Sequence, residues 1–138
     1  KNACTAISTY LLVSEQDGCA VDWGLVRNAL AETSWPGRLE VVSDSPLIVL
    51  DGAHNVDGMK ALLDVVKTRF SNYQICYLYG ALANKDTDTM IPMIEEVSNI
   101  ELILTEFEWA GADKAENLAK KATGSVAVQT DYWQVIKD

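Results

Sequence analysis

Five consecutive residues, Asp51-Gly52-Ala53-His54-Asn55, put a carboxylate, the chain's only histidine and an amide into one short stretch. A carboxylate accepts hydrogen bonds, and an imidazole donates to an anion or takes up a proton near neutral pH. Gly52 and Ala53 keep the stretch narrow, so that a ligand can approach the backbone. Asn55 precedes an amphipathic run and can cap a helix, whose first N–H groups favour negative charge. This combination suits a polyanion or a ribose. The plain alternative is a capped strand-to-helix turn with nothing bound. Arg38 follows Pro36-Gly37 and offers a guanidinium for a phosphate, or else pairs on the surface with Glu40 or another acid. Lys85-Asp86 is a further charged pair, ordinary for a surface and notable only for its place in the chain.

Absent motifs narrow the chemistry. There is no G-x-x-x-x-G-K-[ST] loop, no G-x-G-x-x-G after a strand and no G-x-S-x-G elbow. This chain by itself therefore cannot fully hold a nucleotide's phosphates and magnesium. Cys4, Cys19 and Cys76 show no C-x-x-C spacing, and with a single histidine they make no zinc site. They read as reduced, structural thiols, which fits a cytosolic protein. The 11 basic and 20 acidic side chains give a net charge of -9 without any basic run, so nucleic acid is not an expected partner. No stretch approaches the roughly 20 apolar residues of a membrane span, and Lys1 to Val13 lacks a signal-peptide cleavage region.

The surrounding elements must position these residues. Ala3, Ala6, Ile7, Tyr10 and Leu11 have helical spacing, as do Trp23, Leu25, Val26, Ala29 and Leu30 behind a capping Asp22. Trp35-Pro36-Gly37 ends that part. Leu39 to Val42 and Leu47 to Leu50 predict a hairpin around Ser43 to Pro46. A helix led by Asn55 follows, facing inward with Val56, Met59, Leu62, Leu63, Val66 and Phe70. Ile75 to Tyr79 predicts a buried strand closed by Gly80. The next helix buries Met90, Ile91, Ile94 and Val97, with Pro92 acceptable in a first turn. Leu102 to Leu104, a helix marked by Ala112, Ala115, Leu118, Ala119 and Ala122, then Val126 to Val128 and a helical Tyr132 to Ile136 complete the alternation.

From Leu47 onward this is a β-α series, which predicts an α/β, Rossmann-like, mostly parallel sheet with helices on both faces, preceded by a helical segment and a β-hairpin. Ligands in such sheets bind beyond the carboxyl ends of the strands, where Asp51 to Asn55 and Ala81 to Asp86 are expected. Residues 1–36 contain no strand and read as the helical tail of a preceding domain plus a linker. Residues 37–138 read as a second domain, cut before its last strand at Ile136-Lys137-Asp138.

The run W-P-G-R-L-E followed by P-L-I-V-L-D-G-A-H-N resembles folylpolyglutamate synthases and the related dihydrofolate synthases of the ATP-dependent Mur ligase superfamily. Lys1-Asn2-Ala3 with Ala6-Ile7, and Lys85-Asp86 after Gly80, agree in order. The resemblance spans essentially the whole chain. It implies an amide ligase: ATP phosphorylates a folate carboxylate, and L-glutamate's amine attacks the acyl phosphate. It implies a missing N-terminal ATPase domain that holds most of the ATP and Mg2+ contacts. By the same resemblance Arg38 contacts ATP phosphates, Asp51 the nucleotide, and His54 the phosphates near the reacting centre, with Asp51 and His54 as the catalytic pair. No metal ligand and no role for Lys85 or Asp86 is carried over. Where many members have Pro-Arg-Ala, this chain reads TEFEWAGA from Thr105 to Ala112, so no glutamate or folate contact is carried over there. Two other readings compete: a non-catalytic α/β interaction or regulatory domain, and a small nucleotide hydrolase using Asp51 and His54.

Overall fold

The computed structural model describes residues 2–137, so Lys1 and Asp138, which bear on the resemblance and on the chain's end, lie outside the described residues. Two helices come first, α1 (Asn2–Gln16) and α2 (Trp23–Glu32). Asp22 caps α2 as expected, its carboxylate accepting from the N–H groups of Gly24 at 2.9 Å and Leu25 at 3.0 Å. Their apolar spacing does not correspond to burial. Ser14 is the one buried side chain of α1, and α2 has none.

A hairpin follows, β1 (Glu40–Asp44) antiparallel to β2 (Leu47–Leu50), with an irregular register between Val41 and Ser43. β1 starts one residue later than the composition predicts because Leu39 has φ 47°, a left-handed conformation outside any strand. β2 pairs with β1 as the predicted hairpin requires, but among the described residues it takes no part in the parallel sheet, which is a separate three-stranded one. An unbroken apolar run reads as a buried parallel strand, yet Leu47 and Leu50 are exposed while Ile48 and Val49 are half-buried.

The parallel sheet has the order β3-β4-β5, formed by Ile75–Tyr79, Ile100–Leu104 and Ala127–Val128. Helix α3 (Val56–Arg69) precedes it, α4 (Thr87–Glu95) and α5 (Ala115–Ala119) form the crossovers, and α6 (Tyr132–Lys137) follows. Asn55 caps α3 through Gly58 N–H at 2.8 Å. Asp57 in the first turn and Lys67 and Arg69 in the last suit the helix dipole. Met59, Leu62, Leu63 and Val66 recur at helical spacing and are all buried.

Register defines the core face of the sheet. Ile75, Tyr77 and Tyr79 stand beside Ile100, Leu102 and Leu104, and side chains alternate along a strand. These residues join Met59, Met90, Ile91, Ile94 and Leu118 in one cluster. The Tyr77 hydroxyl reaches Met59 Sδ at 3.5 Å and the Tyr79 hydroxyl reaches Met90 Sδ at 4.0 Å. Burial pushes the Tyr79 phenol up to about 12, and the Tyr77 phenol further still. On the other face Cys76 and Glu101 are exposed, and Leu78 and Ile103 are half-buried.

Three further expectations change. Pro92 lies in the middle of α4, so it removes an N–H from the ladder and leaves the carbonyl of the exposed Asp88 without that donor. The helix expected from Ala112 to Ala122 shortens to Ala115–Ala119, because Gly111 takes φ 87° and Ala112 forms a β-bridge with Leu82. Cys4, Cys19 and Cys76 are free and exposed, so none of them serves as a core residue.

Glu95 ties the end of α4 to the turn before β5. Its carboxylate accepts from Thr123 N–H at 2.8 Å, Thr123 Oγ1 at 3.0 Å and Gly124 N–H at 2.9 Å. Partial burial raises its pKa, but these donors outweigh that and hold the group below its ordinary value of 4.5. A depressed carboxylate contributes stability above the unfolded-state pKa and loses it as pH falls through the folded-state pKa. Glu95→Gln is therefore expected to lower stability at pH 7 by about 1 kcal/mol, since the site is largely solvent-screened. It should also flatten the acid limb below pH 4.5. Urea melts of both proteins from pH 7 to pH 3 test this, and parallel acid limbs would refute it.

Candidate functional site

The turn after β2 is organised by its own backbone. Asp51 Oδ1 accepts from Ala53 N–H at 2.8 Å, and Oδ2 accepts from Leu39 N–H at 2.9 Å across a sequence separation of 12. Gly52 N–H donates to Gly37 C=O at 2.7 Å. A Cβ on Gly52 would sit 3.3 Å from that same oxygen, which explains the glycine. The hairpin's entry turn and the Asp51–Asn55 stretch are thus fastened together. The entry turn is unusual in itself, with φ 69° at Gly37 and 47° at Leu39. For leucine this conformation costs about 1–2 kcal/mol, so the surrounding hydrogen bonds must hold it.

His54 is exposed, with Nδ1 2.8 Å from the carbonyl oxygen of Gly52. A carbonyl only accepts, so Nδ1 carries the hydrogen. Nε2 remains for an external partner, as an acceptor when the ring is neutral and a donor when it is charged.

The second loop, residues 80–86, follows β3. At Gly80 a Cβ would lie 3.2 Å from both Thr105 C=O and the Phe107 ring. The loop is joined to the one after β4 by Asp113 N–H to Ala81 C=O at 2.9 Å and Ala83 N–H to Gly111 C=O at 2.9 Å. Asp86 caps α4 through Thr89 N–H at 3.2 Å. Behind the loop, Lys121 Nζ donates to the buried Thr87 hydroxyl at 2.6 Å and stands 3.5 Å from Asp113 Oδ2.

These loops enclose two adjoining clefts. One, of about 310 Å³, lies between Asp51–His54 and Tyr79–Leu82, with Phe107 on its wall. The other, of about 580 Å³, lies between His54–Asp57 and Asn84–Asp86. His54 and Lys85 line both. Lys85 is half-buried and has no ion pair among the described residues. Lys85 and Asp86, both on the cleft wall, are residues to which the sequence alone assigned no role.

The structure brings Asp51 and His54 to one cleft wall. Arg38 lies on the adjoining turn and lines neither cleft. The surface pair with Glu40 is not formed, because Glu40 Oε2 accepts from Gly37 N–H at 2.7 Å. Among the described residues the Arg38 guanidinium has no ion-pair partner. Nor is there, among them, a cluster of three or more His, Cys, Asp or Glu residues that could hold a metal ion. Glu40 was legible in sequence only as a possible partner of Arg38. Its bond to a backbone N–H three residues back leaves no pattern in composition.

Comparison with known proteins agrees with this architecture. The family model for the Mur ligase, glutamate ligase domain, matches residues 37–138. The chain is 30% identical over 118 residues to a Bacillus subtilis dihydrofolate synthase/folylpolyglutamate synthase, covering 86% of this chain and 27% of that protein. It is 42% identical over 94 residues to a Lacticaseibacillus casei folylpolyglutamate synthase, covering 65% of this chain and 21% of that one. The crystal structure of Mycobacterium tuberculosis folylpolyglutamate synthase complexed with ADP and AMPPCP superimposes with a TM-score of 0.78 at 26% identity, over 91% of this chain and 29% of that chain. The chain thus spans less than a third of the length of each. With its parallel sheet, its entry hairpin and the Asp51–Asn55 turn all inside the matched region, the chain belongs to the Mur ligase family through its glutamate ligase domain.

Proposed function

We propose that this chain is the glutamate-ligating part of an ATP-dependent carboxylate–amine ligase that adds L-glutamate to folates. In this reading it comes from a folylpolyglutamate synthase. The observation that carries the proposal is the meeting of His54 and Lys85 on two adjoining clefts, beside the Asp51 carboxylate, in a glutamate ligase domain. The names of the Bacillus and Lacticaseibacillus relatives and the nucleotides in the Mycobacterium structure support the substrate class.

The reaction has two halves. ATP's γ-phosphoryl group passes to the folate carboxylate, giving ADP and an acyl phosphate. The glutamate amine then attacks the acyl carbon, phosphate leaves with the C–O bond electrons, and the amine's surplus proton goes to a base. His54, its Nδ1 held by Gly52, presents Nε2 towards the phosphoryl oxygens and stabilises their charge when protonated. Arg38 contacts the ATP phosphates with its unpaired guanidinium. Asp51 lies beside the nucleotide. Magnesium would arrive with ATP and be held mainly by the preceding ATPase domain.

Residues 1–36 are read as the closing helices of a preceding ATPase domain and a linker, and residues 37–138 as the ligase domain. The ATPase domain supplies the phosphate loop that the 138 residues lack. The reading places the enzyme in the cytoplasm, in keeping with three free thiols. No helix among the described residues is long and apolar enough to cross a membrane.

This chain alone, given ATP, magnesium, a folate and glutamate, is expected to form no ligated product, because phosphoryl transfer depends on positioned phosphates and charge neutralisation. Sustained turnover by the purified chain would reject the division of labour. In the full-length gene product, His54→Ala is expected to lower kcat on the order of 10²-fold. Its melting temperature should barely move, since His54 is exposed and its one bond is local. Kinetics and melts of the same variant check this, and unchanged kcat removes His54 from the mechanism.

A further inference from the structure

We propose that Glu40 is a positioning residue: together with Asp51 it locks the left-handed Gly37–Leu39 turn and so presents Arg38 to an anionic ligand. The inference rests on the reading of Arg38 as a phosphate contact and adds a residue to which that reading gives no part.

The turn around Arg38 is held on three sides. Glu40 Oε2 accepts from Gly37 N–H at 2.7 Å, on the residue before Arg38. Asp51 Oδ2 accepts from Leu39 N–H at 2.9 Å, on the residue after it. Gly37 C=O accepts from Gly52 N–H at 2.7 Å. Arg38 N–H itself donates to Trp35 C=O at 3.1 Å. Every backbone N–H from Gly37 to Leu39 is therefore fixed, while the Arg38 side chain is exposed and unpaired among the described residues. A non-glycine residue at φ 47° persists only where its neighbours over-determine it, and such positions concentrate at functional sites.

Chemistry separates this role from a general charge effect. Glu40 is half-buried and negative, and a negative group close to a phosphate site opposes phosphate binding. If Glu40 acted only through its charge, its removal would tighten an anion. As a positioning group it does the reverse: losing its acceptor frees the turn, spreads Arg38 over many directions and weakens the anion. Asp51 already engages both carboxylate oxygens with N–H donors, which makes it the second anchor of the same turn.

The test uses the isotope-labelled chain, titrated with magnesium-ATP and separately with magnesium-tripolyphosphate, with affinity read for every variant from the phosphorus NMR signals of the ligand and, where Arg38 is present, from its Nε–Hε signal. Glu40→Met, which removes the acceptor, is expected to weaken both ligands by about tenfold, the scale of one lost interaction of about 1.4 kcal/mol. Glu40→Gln keeps an acceptor oxygen and should fall between Glu40→Met and the wild type. Adding Glu40→Met to Arg38→Gln should produce no further loss, because Glu40 acts through Arg38. Unchanged or tighter binding by Glu40→Met overturns the proposal, as does full additivity in the double variant. A ligand-free readout stands beside these. The one-bond Cα–Hα coupling of Leu39 distinguishes positive from negative φ, and it should shift in Glu40→Met while Tyr79 and Leu102 keep wild-type amide protection. Should Glu40→Met lose that protection, Glu40→Gln carries the comparison. If the wild-type Arg38 signal responds to neither ligand, the locked turn does not by itself present Arg38 to an anion and the proposal fails, while the phosphate role of Arg38 in the enzyme with its ATPase domain is judged separately by the kinetics of Arg38→Gln there.

Discussion

The contact between the Asp51 carboxylate and the Leu39 amide joins what would otherwise be two unrelated turns. It spans 12 residues, closes the hairpin at its open end and sets where the chain leaves β2 for α3. Hydrogen bonds to a charged acceptor are among the stronger polar contacts in proteins. It is one of three contacts on the turn around Arg38, beside those of Glu40 with Gly37 N–H and of Gly52 with Gly37 C=O. Gly52 cooperates, because a Cβ there would lie a tight 3.3 Å from the Gly37 carbonyl oxygen.

The remaining half of the site depends on a different force. The loop carrying Lys85 follows a strand whose core face is filled by Tyr77 and Tyr79, each hydroxyl directed at a methionine sulfur. These bulky side chains set the spacing between β3 and the helices α3 and α4. Lys121 then reaches across from the end of α5 to Thr87 at the start of α4. A cation at a helix start is opposed by the helix dipole, and Asp113 at 3.5 Å and Asp88 at 3.6 Å offset it. One wall of the clefts is therefore set by polar backbone contacts, the other by apolar packing with an ionic clasp behind it.

Much of this was legible in the sequence. The spacing of Met59, Leu62, Leu63 and Val66 marked the buried face of α3, and Ile75 to Tyr79 was readable as a strand because apolar runs bounded by a glycine carry that signal. Asp51 and His54 stood out through their place at a strand end. The hairpin of β1 and β2 was readable too, but not its separation from the parallel sheet. Nothing local tells Leu47 to Leu50 that, among the described residues, it stops at that hairpin, since an exposed hairpin strand and a buried parallel one can share a composition. Pro92 and Gly111 likewise reveal their positions only once α4 and the Leu82–Ala112 bridge exist. The charged groups were visible as residue types, but whether Glu40 meets Arg38 or a backbone N–H is settled by a left-handed turn that no periodicity announces.

The rungs between the loops after β3 and β4, from Ala81 to Asp113 and from Ala83 to Gly111, bear on the thermodynamics of ligand capture. A free loop must surrender backbone entropy when it closes on a guest, at roughly 1–2 kcal/mol for each residue ordered. Here two backbone hydrogen bonds fix part of that ordering during folding, so binding against this wall would cost less loop entropy. The same stiffness narrows the range of guests, because a wall that does not yield cannot remodel itself around a longer or bulkier one.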